Sequence, residues 1–193
     1  MLYELRAYDL AAGQALRYLE LFSTDGVEYV SRHLPMAGYW LTDTGALNRI
    51  YHLWIYKDLA ERAQCRAGLA ADRDWNERFV PKGFPLIIKQ RNYFMTCIRS
   101  TDAIESVIAT RSGQIFNQTA DAAVFTDTYL ALSFSEMHNT ALQNELGAWT
   151  IVSGERPGRV VSLWRPANVP DTSETEGLES HELLRALSCS PIR

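Results

Sequence analysis

One histidine lies among aromatic residues in a segment that alternates like a β-strand. Alternation over 49–57 places Ile50, His52, Trp54 and Tyr56 on one face of that strand. Histidine has an ordinary pKa near 6.5, and burial lowers it, so His52 is a candidate general base at neutral pH. The alternative is a structural histidine that is hydrogen-bonded to a neighbouring strand or helix.

Polar and aromatic residues flank the turn that leads into this strand. The planar guanidinium of Arg49 can orient an anionic or carbonyl substrate, and Arg49 or Tyr39 can stabilise a developing oxyanion. Alternatively, Arg49 forms a surface ion pair or covers Trp40 with its stem. We therefore take His52, Arg49 and Tyr39 as the candidate catalytic residues.

Metal and cofactor motifs are not found in the sequence. The four histidines show neither i, i+4 pairing nor HxH spacing, and no glycine-rich phosphate loop or nucleophile elbow is present. The sequence therefore predicts a site without a metal and without a bound cofactor.

Composition excludes several classes of protein. The chain has 193 residues, with 19 Lys and Arg against 23 Asp and Glu, and a net charge of −4, which argues against a nucleic-acid partner. No apolar run approaches the roughly 20 residues of a membrane span, so no membrane partner is expected. The N-terminal residues alternate between apolar and charged from the start, unlike those of a signal peptide. Three widely spaced cysteines favour reduced thiols, and the predicted location is cytoplasmic.

The elements that position these residues follow a β-α-β-β-α-β order over about 95 residues. Strand patterns cover 2–10, 38–44, 49–57 and 86–98, and helical patterns cover 13–33 and the segment from 58 to about 79. Asp58 and Glu61 form a capping-box pattern at the start of the second helix. This order predicts an α+β, ferredoxin-like module.

The second half looks like an eroded copy of the first. Trp40, Gly45 and the Arg-x-x-x-Leu-Trp stretch from Arg49 recur at offsets of 109 to 110 residues. We expect a strand over 124–132, a shortened helix over 135–146, a loop over 171–180 and a short helix over 182–189, with no fourth strand. The predicted domains are 1–98 and a degenerate second copy over 99–193, in which residues 99–123 stay unassigned.

The first half resembles the NIPSNAP family, within the dimeric α/β-barrel superfamily of ferredoxin-like folds. The resemblance is carried by Tyr3-Glu4-Leu5-Arg6-x-Tyr8, Arg32-His33, Gly38-Tyr39-Trp40, Leu47-Asn48-Arg49, His52-Leu53-Trp54-x-Tyr56, Leu59-Ala60-Glu61-Arg62, Arg66 and the stretch from Asp72 to Trp75. It implies a barrel of two four-stranded sheets, from two chains or from two halves of one, and a homodimer as the expected assembly. Related folds include cofactor-free oxygenases, isomerases, cyclases and haem proteins, so function must be argued from the site.

Further residues are candidates for binding the substrate, without a part in the chemical step. Glu4 and Arg6 are expected to pair and line the barrel, although a solvated sheet face explains them equally well. His33 follows Arg32 at a helix end, where the helix dipole alone accounts for both. The candidate substrate-binding residues are Glu4, Arg6, His33, Trp40, Trp54 and Tyr56.

Three functions follow from this reading. The first is a cofactor-independent isomerase, cyclase, dehydratase or oxygenase that acts on a cyclic or aromatic carbonyl compound through proton transfer by His52. The second is a non-enzymatic NIPSNAP-type binding or scaffold protein whose pocket is filled by side chains. The third is a haem protein with His181 on a helix as the axial ligand.

Overall fold

Strands and helices of the chain are given by a computed structural model, which describes residues 1–140, 142, 144–166 and 175–193. The strands are β1 (Leu2–Leu10), β2 (Met36–Thr42), β3 (Arg49–Tyr56), β4 (Ile87–Ser100), β5 (Phe125–Ser135), β6 (Glu145–Ser153), β7 (Val160–Trp164) and β8 (Leu178–Leu187). The α-helices are α1 (Ala15–Leu21), α2 (Val27–Ser31), α3 (Leu59–Ala71), α4 (Val80–Gly83) and α5 (Asp102–Thr110). Shorter helical turns are π-helical at Phe22–Gly26 and Trp75–Phe79 and 3₁₀ at Phe84–Leu86.

The strands form one closed antiparallel barrel in the order β1-β3-β2-β8-β5-β7-β6-β4, which returns to β1. Within it, the first half contributes β4-β1-β3-β2 and the second half contributes β8-β5-β7-β6, so both halves use the same strand order. The halves join where β2 pairs with β8 and where β4 pairs with β6. A second chain is therefore not needed to close this barrel.

Alternation divides the strand residues between two cores. Tyr3, Leu5 and Ala7 of β1 lie in the core inside the barrel, where Ile104 of α5 also packs. Tyr8 belongs to a second core between the outer face of the first-half sheet and the helices from α1 to α4. The pleat of each strand thus determines which of two separate environments a side chain enters.

The hairpins of the two halves share one irregularity. Met36 lies opposite Trp54 and Gly38 opposite Leu53, so one residue of β2 is skipped. In the second hairpin Glu145 lies opposite Trp164 and Gly147 opposite Leu163, which is the same shift.

Each of these glycines makes room for the tryptophan two residues further on. A Cβ on Gly38 would lie 1.9 Å from the Trp40 ring, and a Cβ on Gly147 would lie 2.7 Å from the Trp149 ring. Both rings are buried inside the barrel. The recurring Gly-x-Trp pattern is therefore a packing requirement.

The second helix of the first half begins as predicted but ends earlier. Asp58 accepts a hydrogen bond from the backbone N–H of Glu61 at 2.8 Å, and the Glu61 carboxylate accepts one from the N–H of Lys57. Helix α3 stops at Ala71, and the Asp72 carboxylate caps the next turn through the N–H of Trp75 at 2.9 Å. The expected continuous helix to residue 79 was wrong, because Asp72 adopts extended backbone angles.

The predicted helix over 182–189 was wrong, as was the absence of a fourth strand. Residues 178–187 form β8, which is hydrogen-bonded to β2 and β5, with Leu184 and Ala186 facing the barrel core. Leu, Glu and Ala favour helices locally, but closing the barrel requires a strand here. Of the expected loop over 171–180, residues 171–174 lie outside the described residues, and 178–180 belong to β8.

The predicted helix over 135–146 is also not found among the described residues of that stretch, from which 141 and 143 are excluded. The link from Ser135 to Glu145 must carry the chain across β7, from the level of Val160 to that of Trp164. Both ends of the predicted helix belong to strands instead, because Ser135 is paired in β5 and Glu145 is paired in β6.

Helix α5 occupies part of the region that the sequence left unassigned. Its buried residues Ile104 and Val107 pack into the barrel core, and Thr101 donates a hydrogen bond to the carbonyl of Leu146 at 2.6 Å. No helix in the described part of the chain is long and apolar enough to cross a membrane.

We predict that Gly38→Ala lowers the free energy of unfolding by about 2 kcal/mol, because the added methyl group must displace the Trp40 ring. Urea denaturation measures the effect. In a Trp40→Phe background the smaller ring leaves room for the methyl group. Gly38→Ala should therefore lower the free energy of unfolding clearly less there than in the wild type. Additive effects of the two substitutions would contradict this packing account.

Candidate functional site

His52 lies on the outer face of β3, beneath the helices of the first half. Its ring stacks on Tyr39 with centroids 4.8 Å apart and planes inclined by 17°, and Tyr8 meets it edge-on at 4.6 Å. Only 2% of His52 is exposed. The position and side-chain face agree with the alternation in the sequence.

A hydrogen bond from Trp54 determines which ring nitrogen of His52 carries the proton. The indole Nε1 of Trp54 lies 2.7 Å from Nδ1 of His52. Because an indole N–H can only donate, Nδ1 must be the acceptor, and the neutral ring carries its proton on Nε2. That Nε2 is buried and has no hydrogen-bond partner among the described residues.

The protonation state of His52 follows from its surroundings. Burial lowers the pKa of His52 well below its ordinary value, and the nearby positive charges of Arg6 and Arg66 lower it further. The ring is therefore neutral at physiological pH. It presents an N–H donor, whereas the base suggested by the sequence would first have to break the Trp54 hydrogen bond.

His52 lines a small cavity between the sheet and the helices, which we call the helix-side cavity. Its volume is about 30 Å³, enough for one or two water-sized groups. It is lined by Tyr8, Tyr18, Phe22, Val30, Leu34, Tyr39, His52, Trp54, Arg66, Leu69, Trp75 and Phe84. The wall is mainly aromatic, with a few polar groups.

Tyr39 shares the helix-side cavity with His52. Its hydroxyl lies 3.2 Å from that of Tyr18, and both rings are buried. Burial raises the pKa of Tyr39 well above its ordinary value, so this hydroxyl stays protonated. The structure thus brings Tyr39 and His52, two of the candidate catalytic residues, together beside one cavity.

Arg49 and Trp40 are not part of this cavity. Arg49 faces the barrel interior, donates to Asp9 at 2.6 Å and lies 3.6 Å from Glu182. Trp40 lies inside the barrel, where its indole N–H donates to the carbonyl of Ile192 at 3.0 Å. The pleat of the sheet separates both residues from His52, so the expected grouping of Arg49 with His52 was wrong.

Glu4 is fully buried at the centre of an arginine cluster on the outer face of β1. Arg62 binds both carboxylate oxygens at 2.9 Å, and Arg66 and Arg6 contact them at 3.1 and 3.3 Å. Burial raises the pKa of Glu4, but the Arg62 hydrogen bond and the three positive charges outweigh it and lower the pKa to about 2. Glu4 and Arg6 do pair. They were expected to line the barrel, but they lie on its outer face, on the side of α3.

The Glu4 cluster also positions a residue of the helix-side cavity. Arg66 holds Glu4 through one nitrogen, and its guanidinium lies over the Trp54 ring, 5.7 Å from the centroid. Sequence analysis gave Arg66 no role, nor Tyr8, Tyr18, Trp75 or Phe84. The i, i+4 spacing of Arg62 and Arg66 on α3 was the available signal for their common partner.

The other candidate residues, His33, Tyr56 and His181, lie outside the helix-side cavity. His33 contacts Asp72 through Nε2 at 2.8 Å and so links the ends of α2 and α3. The Tyr56 hydroxyl is buried without a hydrogen-bond partner in the described part of the chain. His181 lies on β8 and not on a helix; its Nδ1 bonds the Ser133 hydroxyl at 3.2 Å, and its Nε2 is enclosed by protein. Among the described residues, no group of three His, Cys, Asp or Glu could hold a metal ion.

We predict that Glu4→Gln destabilises the protein by about 3 kcal/mol at pH 7, since the pKa of Glu4 is depressed in the folded state. This advantage of the wild type is present above the ordinary pKa of about 4.5 and should shrink as the pH falls towards 2. Urea denaturation of both proteins between pH 7 and 3 measures the difference.

The matched control is Glu77→Gln, which removes an exposed helical ion pair with Arg73 and should change stability by less than about 0.5 kcal/mol. A difference between Glu4→Gln and the wild type that stays constant over this pH range would contradict the ion-pair account.

Comparisons with known proteins agree with the first-half fold. Mouse NipSnap homolog 3B is 37% identical over 89 residues, which are 46% of this chain and 36% of that protein. Human NipSnap homolog 3A is 33% identical over 91 residues, which are 47% of this chain and 36% of that protein. The chain thus spans little more than a third of the length of these curated relatives. A NIPSNAP family protein of unknown function from Agrobacterium tumefaciens is 36% identical, with a TM-score of 0.51, over 53% of this chain and 92% of that chain.

Solved structures that resemble both halves together share little sequence with this chain. An anthrone oxidase-like protein covers 96% of this chain and 90% of its own with a TM-score of 0.52, but at 6% identity this likeness shows the fold alone. The NIPSNAP family model matches residues 3–100, which is half of the chain. The chain therefore belongs to the NIPSNAP family.

Proposed function

We propose that the protein binds a small, mainly apolar carbonyl compound in the helix-side cavity, with the Nε2–H of His52 donating to the carbonyl oxygen. The observation that carries this proposal is a buried imidazole N–H that has no hydrogen-bond partner among the described residues and belongs to a residue that lines an aromatic cavity. Leaving such a donor unpaired costs about 1–3 kcal/mol, which a ligand oxygen would recover.

The reaction that fits this arrangement is cofactor-independent chemistry on a cyclic or aromatic carbonyl compound. A neutral imidazole N–H polarises a carbonyl and stabilises the oxyanion that forms when an adjacent proton is lost. We propose that His52 assists isomerisation, cyclisation, dehydration or oxygenation in this way. Proton transfer remains the chemical step: in isomerisation a water molecule that enters with the substrate takes the proton from one carbon atom and returns it to another. The Nε2–H of His52 stabilises the oxyanion between these two transfers and does not itself remove the proton.

Access to the helix-side cavity requires side-chain movement, because a cyclic ligand is larger than about 30 Å³. Phe84 is the best candidate for this movement. It lines the cavity, is 37% exposed and contacts Trp75 edge-on at 5.8 Å. We propose that a ligand enters by displacing the Phe84 ring.

A second function is favoured by the same small volume. Aromatic side chains already fill most of the space beside His52, as expected for a non-enzymatic NIPSNAP-type binding or scaffold protein. A haem protein is less well supported, since Nδ1 of His181 is bonded to Ser133 and its Nε2 is enclosed by protein.

We further propose that residues 99–193 are a degenerate second ferredoxin-like copy of 1–98. The common strand order, the common hairpin shift and the two Gly-x-Trp packing pairs support this division. Ser162 lies opposite Ala148 where His52 lies opposite Tyr39, so the second copy lacks the imidazole. In this view it takes the place of a partner subunit, and a homodimer is not required to close the barrel.

We predict that the protein prefers a ketone to its hydrocarbon isostere. In the Phe84→Ala variant, which opens the helix-side cavity, cyclohexanone should bind about tenfold more tightly than methylenecyclohexane, because only the ketone accepts from Nε2. Ligand-observed NMR titration measures both affinities.

The control is the same pair of ligands with Phe84→Ala/His52→Phe, in which the preference should disappear while the hydrocarbon affinity stays within about threefold. If neither ligand binds Phe84→Ala, the cavity does not serve as a binding site and the scaffold function is favoured. If both bind equally, His52 is not the donor.

A further inference from the structure

A second cavity lies on the inner side of the sheet, at the open end of the barrel, and we call it the mouth cavity. Its volume is about 270 Å³. Strands β1, β3 and β4 of the first half meet β8 and the β6–β7 turn of the second half around it. Nothing in the proposed chemistry of His52 uses this cavity, because His52 faces the opposite side of β3.

One buried carboxylate in the mouth cavity has an unused oxygen. The side chain of Glu182 is only 9% exposed. Its Oε1 accepts from the backbone N–H of Ala46 at 3.3 Å, and the Tyr51 hydroxyl lies beside the same carboxylate. Oε2 is buried and has no hydrogen-bond donor within 3.5 Å among the described residues. A buried carboxylate oxygen without a donor is costly, so it indicates where a cationic or N–H group of a ligand would lie.

Two arginines that line the mouth cavity with Glu182 each have an Nη2 group that donates no hydrogen bond to the described residues. Arg49 binds Asp9 through Nε at 2.6 Å, and Arg91 binds the other oxygen of Asp9 through Nη1 at 2.8 Å. The Nη2 group of each makes no hydrogen bond within the described part of the chain, although both side chains are less than a fifth exposed. Paired guanidinium groups of this kind bind a carboxylate well.

Charges of both signs surround the mouth cavity. Three arginines and three glutamates line it, and Asp9 adds a further carboxylate beside Arg49 and Arg91, so the site as a whole offers no net positive charge that would attract a simple anion. Opposite charges are close together, since Nη1 of Arg49 lies 3.6 Å from Oε1 of Glu182. Such spacing suits an ammonium and a carboxylate carried on one carbon atom.

The inner wall of the mouth cavity is apolar. Ala7, Phe134 and Ile151 line it on the side of the barrel core. A volume of about 270 Å³ accommodates a molecule with a medium-sized side chain. We propose that the mouth cavity binds a free α-amino acid, with its ammonium at Oε2 of Glu182, its carboxylate at Arg49 and Arg91, and its side chain against the apolar wall.

The full chain should be titrated with leucine and its two single-charge analogues, 4-methylpentanoate and 3-methylbutylamine, by isothermal titration calorimetry. The other protein amino acids are first ranked by the rise in melting temperature that each causes at 10 mM. Leucine or a better-ranked amino acid should bind, and removal of either charged group should weaken binding at least tenfold. No binding of any amino acid at 10 mM, or equal binding of the single-charge analogues, would overturn the proposal.

Two variants test the assigned contacts. Glu182→Gln keeps the acceptor for Ala46 but loses the charge, and Arg91→Gln loses one guanidinium; each should weaken amino-acid binding at least tenfold while circular dichroism stays unchanged. Glu136→Gln, at an exposed ion pair with Arg159 outside the cavity, is the matched control and should bind within twofold of wild type. Wild-type affinity in both Glu182→Gln and Arg91→Gln would refute the location, and should one fail to fold, the other decides.

Discussion

Closure of the barrel within one chain is the constraint on which the rest of this structure depends. Each strand is paired on both sides, so a strand residue has only two destinations: the barrel interior or the outer face. On β3 this rule sends Arg49 and Tyr51 inwards and His52 and Trp54 outwards, towards two separate cavities. A sequence that looks like one cluster of reactive residues therefore forms two sites with different chemistry.

The hydrogen bond between Trp54 and His52 gives the outer site its character. Indole can only donate, so the bond leaves the imidazole proton on Nε2, in an aromatic environment that disfavours the charged ring. The Glu4 cluster acts in the same direction, because it fixes Arg66 over Trp54 and keeps positive charge near the ring. The outer face of the first half is thus arranged around a neutral hydrogen-bond donor.

Local patterns predicted the first half well, because its strands alternate and α3 begins at the Asp58 cap. Local patterns failed at β8, where residues with high helix propensity form a strand that closes the barrel. The pairing of β8 with β2 connects residues more than 130 positions apart in the chain, such as Trp40 and Ala186. The position of His52 could be predicted, since it follows from period-two alternation. Its chemistry could not, because that depends on the direction of one side-chain hydrogen bond and on Arg66, which α3 brings from a distant position.

The central claim is that His52 is a neutral ring with its proton on Nε2, and long-range ¹H–¹⁵N correlation NMR of the imidazole tests it most directly. Between pH 5 and 8 the account predicts a protonated, pyrrole-type Nε2 and an unprotonated, pyridine-type Nδ1, with no titration. A Trp54→Phe variant, which removes the indole donor, identifies the His52 signals and should alter the Nδ1 shift. A ring that titrates near pH 6.5, or a wild-type ring protonated on Nδ1, would contradict the account.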